Sequence, residues 1–215
     1  MKEMRIGQYL TLEEFCTCTQ TYQKYADQID PYPENLEETI PALEALCQHI
    51  LDPVIAQFGG ERFQLTYGFC SKDLKRFLAQ KDPETGIKNG RVAPSRDQHM
   101  AHEKNRNGKY YCVSGASGTA RLGAACDFRI VGLESGGDSL CGSTYHLVEW
   151  ILEQQLPFDS LYYYGGDPRS ETLRERPIHI SYAPQQRQNI WTFTDKGVPT
   201  RKGIEKWIKA ANQLN

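Results

Sequence analysis

Apolar residues recur at three- and four-residue steps over almost six helical turns near the start of this chain. This period is typical of a helix that buries one face. Pro41 and Pro53 fall inside the pattern and predict a break or bend, because proline removes a backbone donor and crowds the preceding turn. Gly59 and Gly60 follow the last periodic residue and predict the end of the helix. The periodic residues are Leu36, Ile40, Leu43, Cys47, Ile50, Val54 and Phe58.

Several shorter segments have the patterns of strands and further helices. Thr11 and Glu14 form a predicted capping box for a short helix that buries Leu12 and Phe15. Helices preceding and crossing a small, mostly antiparallel sheet define an α+β class. The predicted strands are Phe63–Tyr67, Ala124–Val131, Leu161–Tyr164 and Ile178–Tyr182, with less regular ones at 110–113 and 191–193. Further helices are predicted from Lys72 to Leu78, from Ser143 to Leu156 and from Thr200 to Leu214.

Length and composition exclude several classes of protein. The 215 residues predict one domain, with a hydrophobic content of 39% that is sufficient for a core. The 25 basic and 27 acidic residues give no overall charge that favours nucleic acid or a membrane surface. Seven cysteines without a CxxC pair indicate reduced thiols, with Cys47 and Cys126 in the core. The N-terminus is too polar for a secretory signal, so a cytoplasmic location is expected, with release to the cell wall without such a signal as the open alternative.

Three segments together supply the histidines and carboxylates that could form a metal site. Residues 97–103 contain His99, His102 and Glu103, residues 122–130 contain Asp127, and residues 176–182 contain His179. Imidazole and carboxylate are ligands for zinc, and a catalytic site needs three of them plus water. The other interpretation of residues 97–103 is a polar surface loop.

The order of these segments resembles the zinc D-alanyl-D-alanine carboxypeptidase family, which has the hedgehog/DD-peptidase fold. The resemblance covers roughly residues 9–184, with an N-terminal helical part at about 9–60 and an insertion at about 100–120. Residues 123–128, Gly-Ala-Ala-Cys-Asp-Phe, look like the end of the family's HxxGxAxD motif. Residues 161–164 followed by 178–181 look like the strand pair that carries its last metal ligand.

The resemblance implies a metal site in which Asp127 and His179 match two of the family's ligands. The first ligand is missing, since Ala120 stands in its place. Gln98-His99 resembles the Gln-His that often carries this ligand, so we choose His99 first and His102 second. The implied cofactor is one zinc ion.

The other implied roles are displaced in this chain. The family's catalytic Glu would fall at Arg176, so Glu103 and Glu175 are the alternative bases. Cys70 stands where the family has a carboxylate-binding Arg, which argues against a free C-terminal D-Ala as substrate because a thiol cannot bind a carboxylate bidentately. Cys70, Arg121, Arg129 and Tyr182 are the predicted substrate-binding residues.

The function that we predict from these residues is a zinc-dependent peptidase- or amidase-like hydrolase. Its expected partner is a peptide or cell-wall-derived substrate such as peptidoglycan, and neither nucleic acid nor a membrane is expected. The alternative is a non-catalytic binding module that keeps the peptidase fold. The sequence leaves the oligomeric state open.

Overall fold

The computed structural model describes residues 3–90, 97–113, 118–132, 143–164, 176–193 and 199–200. Within these ranges the chain is an α+β protein whose sheet is mixed and flanked by helices. The predicted α+β class is confirmed at this level. Among the described helices, none is long and apolar enough to cross a membrane.

The N-terminal part is helical, as predicted. Helix α1 spans Leu12–Thr17 and begins with the predicted capping box, in which the Thr11 hydroxyl accepts from the Glu14 N–H and the Glu14 carboxylate accepts from the Thr11 N–H. Helix α2 spans Gln20–Lys24, and a 3₁₀ turn follows at Ala26–Gln28.

The long amphipathic segment is continuous but changes its helical type in the middle. Helix α3 spans Leu36–Leu46, a π-helical turn spans Cys47–Leu51, and helix α4 spans Asp52–Phe58. Pro53 follows directly after the wide turn, which explains the change because the proline cannot donate to the carbonyl one turn earlier. Gly59 ends α4 with φ +91°. The break predicted at Pro53 is confirmed as this change of helical type, whereas Pro41 lies inside α3 without one.

The sheet contains six strands in the order β1-β2-β4-β3-β5-β6 over the part of the chain that the structure describes. Four of the strand pairs are antiparallel, and β3 runs parallel to β5. The prediction of a mostly antiparallel sheet is confirmed, with the parallel pair as an addition. The strands are β1 Phe63–Tyr67, β2 Ala124–Ile130, β3 Ser160–Tyr164, β4 Ile178–Tyr182, β5 Asn189–Phe193 and β6 Pro199–Thr200.

One face of the sheet packs against helices, and the opposite face carries the candidate metal ligands. One face packs on α3, α4 and α6 (Ser143–Glu153), because alternate residues of each strand point towards the helices. Asp127 and His179 belong to the opposite face, where their neighbours are polar or aromatic. The core contributions of the central strands are Ala124, Cys126, Phe128, Ile130, Leu161, Tyr163, Ile178 and Ile180.

A second, smaller core lies beneath α5 (Lys72–Ala79). Met100 and Cys112 from the predicted insertion pack there with residues that precede and follow β1. Residues 110–113 do not form the predicted strand; the chain makes only isolated bridges, between Lys104 and Tyr110 and between Val113 and Ala120. The predicted C-terminal helix lies outside the described residues except for Thr200, which belongs to β6.

Gly123 determines how the chain enters β2, and its replacement should destabilise the protein. Its φ is +129°, and a Cβ there would lie 2.2 Å from the Tyr182 carbonyl oxygen. We expect Gly123→Ala to lower the free energy of unfolding by about 3 kcal/mol or more, from backbone strain plus the clash. Urea unfolding measures this change.

Gly108→Ala is the matched control, because Gly108 also has a positive φ but has open space around it. Its cost should be roughly 1–2 kcal/mol, which is the strain alone. Equal losses in the two variants would contradict the close approach of Gly123 to β4.

Candidate metal centre

Two of the candidate ligands lie directly opposite each other on neighbouring strands. Asp127 of β2 and His179 of β4 are register partners in an antiparallel pair, so their side chains share a face. Asp127 Oδ1 lies 2.9 Å from His179 Nδ1. The strand alternation that buries Cys126 and Phe128 therefore also fixes the position of Asp127 on the other face.

The third ligand, His99, comes from a turn outside the sheet and is held by three hydrogen bonds. Its carbonyl accepts from the Cys70 N–H at 2.8 Å, and its N–H donates to Asp97 Oδ1 at 3.2 Å. Its ring Nδ1 donates to the Gly68 carbonyl at 2.8 Å. A carbonyl can only accept, so Nδ1 carries the proton and a neutral ring presents its lone pair at Nε2.

The three side chains bring their ligand atoms together at distances that suit a small metal ion. His99 Nε2 lies 3.2 Å from Asp127 Oδ1 and 3.2 Å from His179 Nδ1. Ligands at about 2.0–2.1 Å in tetrahedral geometry are roughly 3.3–3.4 Å apart. The buried group of His99, Asp127 and His179 can therefore bind a metal ion.

Electrostatics also favour a cation among these three atoms. Burial alone would lower the pKa of His99, but the adjacent charge of Asp127 outweighs it and raises that pKa to about 9. Burial disfavours ionisation of Asp127, yet the two histidines hold its pKa well below the usual range. Without a proton or a metal ion, lone pairs and a carboxylate would face one another in a buried site.

One ring nitrogen of His179 lacks a hydrogen-bond partner among the described residues. Its Nε2 is buried and has no hydrogen-bond partner among them. The ring is held in place by Tyr162 of β3, which stacks on it with centroids 4.3 Å apart. If Nδ1 of His179 bound a metal ion, Nε2 would carry the ring proton, and no described residue accepts it.

The second histidine of the 97–103 segment, His102, does not join this group. Its Nε2 accepts from the Gly123 N–H at 3.2 Å, and its Nδ1 lies 3.7 Å from Glu38 Oε2. Both ring nitrogens are therefore occupied, and burial lowers the pKa of this imidazole. Of the two histidines that we proposed for the missing ligand, the structure brings His99 to Asp127.

Glu103, one of the two predicted bases, has a different environment. Its side chain is 0% exposed, with Oε1 accepting from the Asn35 N–H at 2.9 Å and Oε2 lying 3.5 Å from Lys72 Nζ. These contacts connect the start of α3 to α5, so Glu103 is a structural residue here. Glu175, the other predicted base, lies outside the described residues.

Two of the predicted substrate-binding residues are also placed elsewhere. Cys70 is buried in the small core under α5, where burial raises the pKa of its thiol to about 12. Tyr182 points to the helix face of the sheet and stacks on His49 with centroids 4.7 Å apart. Neither side chain faces the metal group, because Cys70 is enclosed and Tyr182 lies three strand positions from His179.

The two predicted arginines do lie on the face of the metal group. Arg121 Nη2 donates to Ser160 Oγ at 2.5 Å and lies 3.5 Å from Asp159 Oδ2. Ser160 shares its sheet face with Tyr162, so Arg121 is placed beside the stacked ring. Arg129 shares the face of Asp127 and donates to Gln64 Oε1 at 2.9 Å. A substrate-binding role for both remains a prediction.

The residues that hold the ligand side chains in place were not predicted from the sequence. The Gly68 carbonyl orients His99, and the Tyr67 ring packs edge-on against it at 4.6 Å. Strand alternation alone puts Tyr162 and Tyr164 on the face opposite to Tyr163, which lies in the core. No sequence signal identifies a backbone carbonyl as a histidine partner.

The stability of the metal-free protein should depend on pH through His99. Its folded pKa of about 9 exceeds the ordinary 6.5, so its contribution is complete below about pH 6.5 and is lost as pH rises through 9. In the presence of a chelator, we therefore expect the free energy of unfolding to decrease as the pH rises from about 6.5 to 9. Asp127→Asn removes the charge that causes the shift, and a slope that persists in this variant would contradict the assignment.

Comparison with known proteins gives no match to a family model, to a curated protein or to a solved structure.

Proposed function

We propose that this protein is a zinc-dependent hydrolase that cleaves amide or peptide bonds. The observation that carries the proposal is the convergence of His99 Nε2, Asp127 Oδ1 and His179 Nδ1 within 3.2 Å of one another. Two imidazoles and one carboxylate, with no thiolate, are a ligand set that catalytic zinc sites use. Three protein ligands also leave a fourth position for water or substrate.

The residues around the ligands support a catalytic centre because they fix the ligands before a metal binds. Gly68 sets the tautomer of His99, and Tyr162 restrains the ring of His179. Such outer contacts orient metal ligands and strengthen binding. A zinc ion held here would polarise a scissile carbonyl and lower the pKa of its water towards ~7.

Asp97 is the described carboxylate that we propose as the proton acceptor. It accepts from the His99 backbone N–H, so it belongs to the same turn as this ligand. Its negative charge acts on Tyr67 and on Tyr162, whose pKa values burial and this charge raise. These rings contact His99 and His179 respectively, so the charge of Asp97 acts on the aromatic residues that pack against two of the ligands. A base in this position could accept a proton from a nucleophilic water.

We further propose that the architecture is of the hedgehog/DD-peptidase type and that the substrate is a peptide, with peptidoglycan peptides as the first class to examine. The resemblance in Gly123, Asp127 and His179 supports this, together with the antiparallel placement of the last two on adjacent strands. His99 supplies the ligand that Ala120 cannot, from a turn earlier in the chain.

A specific observation favours a second candidate, a metal-binding module without hydrolysis. Glu103 is committed to Asn35 and Lys72, and Cys70 is enclosed in the core. Neither can serve as the base or the carboxylate-binding group of a peptidase in this conformation. Metal binding without turnover would support this candidate over the hydrolase.

Metal content tests the centre directly. Purified protein should contain about one zinc per chain, and His179→Ala and Asp127→Ala should weaken zinc binding more than 100-fold, since loss of even an outer-shell partner costs about 10–100-fold. Mass-spectrometric metal analysis and competition with a chromophoric chelator measure both quantities.

His146→Ala is the matched control, because His146 lies on α6 near Glu149 and outside the group. His102→Ala should likewise keep the metal. Unchanged zinc binding in His179→Ala would overturn the proposed centre.

Turnover tests the proposed chemistry. With zinc bound, the protein should hydrolyse members of a panel of amide and muropeptide substrates, and Asp97→Asn should lower kcat by about 100-fold or more with zinc content unchanged. Mass spectrometry of the products identifies the cleaved bond.

Glu103→Gln is the comparison variant. It should lower stability through the lost ion pair with Lys72 but leave kcat within a small factor. Cleavage of no substrate by the zinc-loaded protein would favour the binding module, and a larger kcat loss in Glu103→Gln than in Asp97→Asn would reassign the base.

A further inference from the structure

A concavity of about 940 Å³ lies beside α5, separate from the metal centre. Its walls come from α5 and from residues 88–90 and 105–111, and none of the three metal ligands lines it. Its charged lining residues are Glu34, Lys72, Lys75, Arg76, Lys88 and Arg106. Ligand sites in proteins have volumes of roughly 300–1,000 Å³, so this space could admit a small molecule.

Positive charge exceeds negative charge around this concavity. Two of its five cations have carboxylate partners: Lys72 lies 2.6 Å from Glu34, and Arg76 pairs with Asp73. Lys72 also approaches the buried Glu103. Five cations therefore face three carboxylates, and two positive charges are in excess. The whole chain has a net charge of −2, so this excess is a local feature.

The other three cations, Lys75, Lys88 and Arg106, have no carboxylate partner among the described residues. Lys88 and Arg106 are exposed, and no hydrogen bond or ion pair of their side chains is found among the described residues. Lys75 lies over the ring of Tyr111, 4.6 Å from its centroid, which restrains its ammonium at the wall. Lys72 is held by Glu103, which is itself 0% exposed. Of the five cations, Lys72, Lys75 and Arg76 are therefore held by neighbouring side chains, and the other two are exposed at the same space.

We propose that this concavity binds the phosphomonoester group of a small molecule. A phosphomonoester carries a charge of about −1.5 to −2 at pH 7 and three acceptor oxygens, which matches the excess of two positive charges. The volume exceeds that of a phosphate group and leaves room for the rest of the molecule. A nucleic acid fits less well, because its diesters carry one charge each along an extended strip, whereas these cations surround a single space. The site is independent of the proposed hydrolase function.

Isothermal titration with phenyl phosphate tests the site, on the protein as purified and again in excess EDTA. We expect saturable binding that EDTA does not change, whereas phosphate bound through the metal centre would be lost with the metal. Lys88→Ala and Arg106→Ala should each weaken binding about tenfold, the equivalent of one charge-assisted hydrogen bond. Both residues are exposed, so the fold should tolerate the changes.

Arg62→Ala removes an exposed arginine outside the concavity and is the matched control. Dimethyl phosphate, with a single charge, should bind at least about tenfold more weakly than phenyl phosphate. The proposal is overturned if phenyl phosphate gives no saturable binding, if EDTA abolishes it, or if Arg62→Ala weakens it equally. Tighter binding of a single-stranded oligonucleotide, lost in the same two variants, would replace it with a nucleic-acid site.

Discussion

The contact between Asp127 and His179 is the constraint on which the rest of the site depends. A carboxylate in this position loses most of its hydration, so its charge needs a cation or strong donors close by. The antiparallel pairing of β2 and β4 supplies His179 directly opposite, and the turn at residues 97–102 adds His99. The Gly68 carbonyl orients the His99 ring, and the Tyr162 ring holds the His179 ring. Both contacts keep the imidazoles next to the buried charge of Asp127.

Much of the fold follows from patterns that the sequence carries locally. Three features depend on neighbouring residues and were predictable: the boundaries of β1 and β4, the capping box at Thr11, and the break in the regular α-helix near Pro53. The pairing of β3 with β5 was not predictable. Parallel neighbours are joined through a long connection, and no short-range sequence pattern indicates which strands will pair. The candidate ligands on strands, Asp127 and His179, were predictable for the same reason as the strands.

The resemblance in Gln98-His99 favoured His99 over His102, as the structure has it, but no local pattern separates the two, because both lie in a turn whose orientation is set by distant partners. The Gly123 N–H donates to His102 and the Gly68 carbonyl accepts from His99, and these two glycines lie after and before the turn in the sequence. Glu103 was predicted as a catalytic base and Cys70 as a substrate-binding residue, but both are buried. Their burial was not predictable, since the neighbouring sequence does not show whether a charged or reactive side chain is enclosed. Tyr182 is the avoidable error: it stands three residues after His179 on a strand, and positions an odd number apart face opposite sides.

The ligands come from distant parts of the chain, and this separation has a kinetic consequence. His99 is 80 residues from His179, and Asp127 is 52 residues from it. Contacts of such long range form late, after the entropy of closing large loops has been overcome. A metal ion would then find its complete set of ligands only in a nearly native chain. Its effect would fall on the lifetime of the folded protein, by slowing unfolding, while the rate of folding would change little.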